Sequence, residues 1–228
     1  MHALDNVIWQ ALTTRQVEFA EVVGLARRFV PEVTSLTAFS QANEEGYASL
    51  ASLVGPGGTA AVFLDQPYRE RERWKAIGGA ALLEMVCDNG GTAANPTSSL
   101  PQITELGPQD SPEMVELAAL TKPGPFGTRT HELGTYLGIR SNGKLVAMAG
   151  ERLKVPGYTE VSAVCTHPEH TGNGYAQVLM TELMRRIRSR GETPFLHVRE
   201  DNERAVQIYE RLGFRLRVLL HFVLLRRG

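Results

Sequence analysis

The segment His167–Met180, HPEHTGNGYAQVLM, sets two glycines one residue apart directly before an apolar-periodic stretch. Ala176, Leu179, Leu183 and Ile187 recur at helical spacing, and Arg185, Arg186, Arg188 and Arg190 crowd the far end, where cations suit the negative pole of the helix dipole. The glycines therefore stand at the positive pole. Amides that begin a helix lack partners within it. With no β-carbon at Gly172 and Gly174, an anion can approach those amides closely, and a phosphate or pyrophosphate fits best. A plain glycine turn between strand and helix is the competing reading. A Walker loop requires Lys and then Ser or Thr after its last glycine, which TGNGYAQ lacks. A dinucleotide fingerprint requires a third small residue where Gln177 stands, within a repeated βαβ unit.

The elements that must position this loop follow from periodicity and turn chemistry. After the loop, TPFLHV reads as a strand and DNERAVQIYERLGF as a helix capped by Asn202 and ended at Gly213; RLRVLLHFVLLRR closes with one long strand or two short ones. Before it, QITELG reads as a strand. SPEMVELAAL reads as a helix with Ser111 at its N-cap, and GYTEVSAVCT as a further strand. Asn142-Gly143 between two apolar runs predicts a hairpin. The resulting order, β-α-β-β-β-α-β-α-β, is a mixed α/β sheet.

Upstream, Thr13–Phe29 carries apolar residues three or four apart and is read as a helix, NEEGYASLASLV as a second, and TAAVFLD and WKAIGGAALLEMVCD as strands. Asn89–Gln102, rich in Gly, Ser, Thr, Asn and Pro, reads as a linker. The expected division is an accessory α/β domain over 1–95 and a second domain over 101–228.

Composition narrows the function classes. A net charge of −1 over 228 residues gives no sign of a nucleic-acid partner. Two distant cysteines, Cys87 and Cys165, suit a reducing compartment, and no histidine spacing suggests a metal site. The start lacks signal-peptide regions and no apolar run is long enough to cross a membrane, so a cytoplasmic protein is expected.

The segment VCTHPEHTGNGYA resembles the acyl-coenzyme A motif of the GNAT N-acetyltransferase superfamily, Arg/Gln-x-x-Gly-x-Gly/Ala, at Thr171, Gly174 and Ala176. FLHVREDNERAVQIYERLGF resembles the family's second motif, an Asn-x-x-Ala-x-x-x-Tyr helix followed by Leu-Gly-Phe. The resemblance covers roughly 102–228, and the C-terminal run is most similar to the glycine-N-acyltransferase-like branch, in which a further N-terminal domain precedes the acetyltransferase domain. Thr171 departs from the usual Arg or Gln, which weakens one phosphate contact and leaves the amide donors.

The resemblance implies a GNAT-type mixed sheet flanked by helices and an acetyl-coenzyme A donor. It implies that the pyrophosphate lies on Thr171, Gly172, Asn173, Gly174, Tyr175 and Ala176, and that the pantetheine arm pairs with the strand edge at Val164, Cys165 and Thr166. Val164 N–H would be the oxyanion donor. It further implies that Asn202 contacts the arm, although the sequence equally makes Asn202 a simple cap. Tyr209 would be the acid that assists the leaving thiolate; core packing is its other reading, because Ala205, Ile208, Tyr209 and Leu212 share a helical face.

The expected acceptor is a primary amine, or an amino acid, attacking directly in a ternary complex. Glu160 is the expected base, with a solvated strand end as its other reading and His197 as the runner-up. An acyl-cysteine at Cys165 is a minor alternative. Leu120–Gly134 is expected to shape the acceptor pocket, with Arg129 or Lys122 available to a carboxylate, and the N-terminal part either caps that pocket or mediates a homodimer. The rival functions are transfer of a longer acyl group and a non-catalytic acyl-coenzyme A-binding module.

Overall fold

The computed structural model describes residues 2–88 and 101–228. The linker expected over Asn89–Gln102 falls almost wholly outside them. The described chain forms two sheets. A small antiparallel one holds β1 (Ala20–Val23), β2 (Ala26–Phe29) and β3 (Thr37–Phe39). The main sheet has eight strands: β4 (Thr59–Leu64), β5 (Trp74–Val86), β6 (Ile103–Leu106), β7 (Tyr136–Ser141), β8 (Lys144–Val155), β9 (Tyr158–Thr166), β10 (Thr193–Arg199) and β11 (Arg215–Arg227). Their spatial order is β4-β11-β5-β10-β9-β8-β7-β6, with β9 and β10 parallel and the other pairs antiparallel.

The helices are α1 (Val7–Thr13), α2 (Glu44–Val54), α3 (Ser111–Thr121), α4 (Tyr175–Ser189) and α5 (Glu203–Arg211). α4 buries Leu179, Met180, Leu183, Met184 and Ile187 against one face of the sheet, with α5 beside it. The opposite face is shared. α3 covers Tyr136, Met148, Ala163 and Cys165, and α1 with the small sheet covers Val86, Leu153, Val155 and Phe195.

Most elements lie where the sequence puts them. The hairpin turn at Asn142-Gly143 has φ of 50° and 81°, the double left-handed turn that this dipeptide favours. α4 runs from the glycine loop to Ser189, just short of Gly191, and the last run is a single strand.

Two expectations need correction. Thr13–Phe29 is not a helix: after a short 3-10 turn it becomes the β1–β2 hairpin. Gly24, at φ 52°, makes the turn, while Ala26 and Phe29 face the core. A mid-helix glycine costs about 1 kcal/mol and the adjacent valines prefer strands, so the helical spacing was outweighed. The α3 cap is Asp110 rather than Ser111; Ser111 Oγ instead donates to Thr128 O at 2.5 Å.

The main sheet runs across the boundary expected near residue 96. β5 lies between β10 and β11, and β11 lies between β4 and β5. Residues before the linker therefore supply one interior strand, β5, and one edge strand, β4, to the sheet that carries the glycine loop.

Candidate active site

β9 and β10 pair only from Tyr158↔Thr193 to Glu160↔Phe195. Beyond that row β9 stays with β8 and β10 stays with β5, which opens a wedge in the sheet. A bulge marks β9 within the wedge. The β8 register jumps from Gly150↔Ser162 to Met148↔Cys165, so Ala163 and Val164 have no paired partner there, and Ala163 is held at φ 52°. Left-handed backbone at a residue other than glycine is uncommon, and such strain collects at functional sites. The bulge leaves Val164 out of the β8 ladder at the mouth of the wedge.

The loop before α4 closes the other side. Gly172 and Gly174 have φ of 85° and 74°, and a β-carbon built on either would meet nothing within 4 Å. Their conformation demands glycine, while the space in front of them is free. Val178 N–H to Gly174 O is the first helical bond, so the preceding amides have no partner within α4. No side chain caps this helix start.

A cleft of about 420 Å³ joins these parts. It gathers Val164, Cys165, Thr166, Thr171, Gly172, Asn173, Gly174, Tyr175, Ala176 and Asn202, together with Tyr209. Asn202 keeps its capping role, accepting from Ala205 N–H at 3.2 Å. Sequence reasoning missed Arg204 and Arg211, which also line the cleft. They stand seven apart on α5, hence on one helical face, and that spacing was the available signal.

Tyr209 is half-buried against the core, its ring 6.2 Å from that of Phe214. Burial, aided by the neighbouring Cys165, pushes its phenol up to about 12, so it stays protonated at neutral pH. Burial likewise raises the Cys165 thiol to about 11, despite hydrogen bonding from Thr121 and the Met148 backbone. A thiol so placed is a poor nucleophile, which argues against an acyl-cysteine.

Glu160 lies elsewhere. It is fully buried, with Oε2 accepting from Arg152 Nε at 2.8 Å and from Leu153 N–H at 3.2 Å. Its Oε1 meets Arg152 Nη2 and His197 Nδ1, each at 2.7 Å. Burial alone would raise its pKa, but the Arg152 ion pair and the His197 contact outweigh that and hold the carboxyl at about 2. A carboxylate so weakly basic and so fully engaged cannot accept a substrate proton near pH 7. This corrects the expectation that Glu160 is the base.

The runner-up is enclosed as well. His197 Nε2 stands 3.3 Å from Glu84 Oε2, and Glu84 Oε1 accepts from Arg217 Nη1 at 2.8 Å, with Asp5 pairing to Arg217 beyond. Burial disfavours the imidazolium, but the hydrogen bond to Glu160 and the nearby Glu84 carboxylate raise the His197 pKa overall. Arg152, Glu160, His197, Glu84, Arg217 and Asp5 thus form one chain of alternating charge across five adjacent strands. Among the described residues, no carboxylate lines the cleft or the space beside the β9 bulge.

The loop expected to shape an acceptor pocket does approach the bulge. Pro123–Phe126 lies over Tyr136, Arg152, Ser162 and Ala163. Arg129 gives Nε and Nη2 to Glu132 at 2.8 and 2.7 Å, and Lys122 ends α3 in the left-handed region; neither is among the residues lining that space.

Comparison with known proteins settles the family. A solved structure from Novosphingobium aromaticivorans, described as belonging to the GNAT family, is 36% identical over all of both chains, with a TM-score of 0.90. The chain belongs to the GNAT family. A family model described as FR47-like protein matches residues 136–223, the part of this GNAT chain that holds the wedge, the loop and Tyr209. The N-alpha-acetyltransferase RimI of Mycobacterium tuberculosis is 35% identical over 99 residues, which are 40% of this chain and 61% of that protein. A GCN5-related N-acetyltransferase from Kribbella flavida shares the fold at 16% identity, a TM-score of 0.65 and near-complete coverage of both chains. No helix among the described residues is long and apolar enough to cross a membrane.

Proposed function

We propose that this GNAT acetyltransferase moves an acetyl group from acetyl-coenzyme A to a primary amine by direct attack in a ternary complex. One observation carries the reading: the positive-φ glycines, the free α4 amides, the unpaired Val164 and the protonated Tyr209 line a single cleft. The chemistry of that lining fits the donor. The α4 amides of the glycine loop suit a pyrophosphate, and Arg204 and Arg211 add positive charge nearby. The wedge edge at Val164–Thr166 suits an amide-bearing arm. Bound there, acetyl-coenzyme A supplies an activated acyl group.

The chain's own contribution is electrostatic. Val164 N–H donates to the oxygen that gains charge as the amine adds. Tyr209 donates to the departing sulfur. Its pKa lies well above a thiol's ~8.5, so it stabilises the thiolate mainly as a hydrogen-bond donor. The acceptor arrives as its free base, its first proton lost to solvent; the C–S bond breaks as the C–N bond forms, and the proton shed by the added nitrogen passes through solvent to the coenzyme A thiolate, leaving amide and free thiol. The name of the RimI relative supports an amine acceptor, and the C-terminal run supports the glycine-N-acyltransferase-like branch.

The test is coenzyme A release across a panel of amines and amino acids, beside calorimetry of acetyl-coenzyme A. Gly174→Asp puts a carboxylate into the anion-binding space, and affinity should fall at least tenfold. Unchanged affinity would remove the loop from the site. Cofactor binding without release on any amine would favour a non-catalytic module.

A further inference from the structure

The first part of the chain repeats the plan of the second. β1, β2 and β3 run antiparallel in chain order, α2 follows, and β4 returns alongside β3. β7, β8 and β9 do the same before α4 and β10. In each copy the third strand and the returning strand are parallel, pair over a short stretch and then part. The stretch is Leu36↔Ala61 in the first copy and Tyr158–Glu160↔Thr193–Phe195 in the second. The chain therefore holds a second wedge. It opens on the α1 side as a cleft of about 570 Å³, lined among others by Asp5, Asn6, Trp9, Phe39, Phe63 and Asp65.

The helix that follows this wedge is built differently from α4. Asn43 Oδ1 caps α2 by accepting from Gly46 N–H at 2.9 Å, and Glu44 and Glu45 fill its first turn. Carboxylates stand where α4 offers free amides, so a phosphate does not fit there. What remains is an open strand edge. β4 bonds β11 along one side, from Thr59 to Leu64, and beyond Ala61 no strand among the described residues pairs with its other side. Alternate residues of β4 therefore aim N–H and C=O into the cleft. The β3 edge is less available, because Phe39 O already accepts from Asn6 Nδ2 at 2.9 Å.

The lining also has a sign. Asp5 and Asp65 border the cleft, and no Lys, Arg or His does. Arg217 pairs with Asp5, whereas exposed Asp65, directly after β4, has no ion-pair partner among the described residues. Half-buried Trp9 and Phe63 add apolar area.

We infer that the β3–β4 wedge binds an extended peptide carrying lysine or arginine, its main chain added to the β4 edge at Val62–Asp65 and a cationic side chain meeting Asp65. An open edge selects a chain of amides over an isolated cation. The volume suits a few residues of extended chain rather than a folded domain. This site goes beyond the acetyltransferase reading and does not depend on it.

The probe is the peptide acetyl-Val-Lys-Val-Lys-Val-amide, titrated into the isotope-labelled full chain in the presence and absence of coenzyme A and followed by backbone amide NMR. Shifts should centre on Val62–Asp65 and the Trp9 indole, with or without coenzyme A, and affinity should fall as salt is added. The matching glutamate peptide should not bind. Of two lysine peptides N-methylated on one or the other alternate set of amides, at least one should lose binding. Asp65→Asn changes an exposed side chain, so its melting temperature should hold while affinity for the lysine peptide falls about threefold. No shift at Val62–Asp65 with millimolar peptide, or shifts confined to the glycine-loop cleft, would overturn the site. So would equal binding of the glutamate peptide, full binding of both methylated forms, or an unchanged affinity in Asp65→Asn. Coenzyme A release plays no part in the readout, so failure of the transferase reading would leave this result standing.

Discussion

At the scale of single residues, Tyr209 decides between packing and chemistry. Its ring belongs to the core face of α5, and its hydroxyl carries the proton on which the proposed mechanism depends. Tyr209→Phe keeps the ring and removes the donor, so turnover should fall about 10²-fold with the melting temperature little changed. Loss of stability without loss of turnover would return Tyr209 to core packing. The glycine loop and Asn202 were legible because backbone chemistry dictates their types: positive φ for Gly172 and Gly174, an oxygen-bearing cap for Asn202. Glu160 was misread for a definite reason. Strand alternation shows which residues share a face, but the partners on that face come from β8 and β10, whose register depends on the bulges.

At the scale of elements, the charged chain from Arg152 to Asp5 links five neighbouring strands. Breaking a buried ion pair by removing one partner typically costs 3–5 kcal/mol, so Glu160→Gln should appear first as lost stability. The pH dependence has two limbs. Glu160 is held below its unfolded value, so its contribution is present above about pH 4.3 and is lost as pH falls towards 2. His197 is raised, so its contribution is present below about pH 6.5 and is lost as pH climbs through its folded value. Chemical denaturation across pH should show wild type most stable between these limbs. Glu160→Gln should lack the acid limb and His197→Gln the alkaline one. Turnover of folded Glu160→Gln should be depressed alike at every pH; a deficit confined to low pH would restore Glu160 as the base.

At the scale of the whole molecule, the eight-stranded sheet ties the first part of the chain to the second. The sequence made two domains attractive because Asn89–Gln102 has the composition of a linker, but composition cannot reveal which strands pair. Residues 101–228 alone would lack β5, exposing the facing edges of β10 and β11. That fragment should fail to give a cooperative thermal transition and should aggregate. A soluble fragment that melts cooperatively and binds acetyl-coenzyme A would show that the C-terminal part stands alone.

The interleaving of β4, β11 and β5 also bears on the ribosome. β5 is synthesised roughly 130 residues before β11, and at about 5–20 residues per second it waits on the order of 7–25 s for that neighbour. β10, its other neighbour, emerges only shortly before β11. For that interval the nascent chain carries a long apolar strand with both edges open, a substrate for chaperones. Abundance in the cell should therefore respond to translation speed and chaperone supply as well as to the stability of the finished fold.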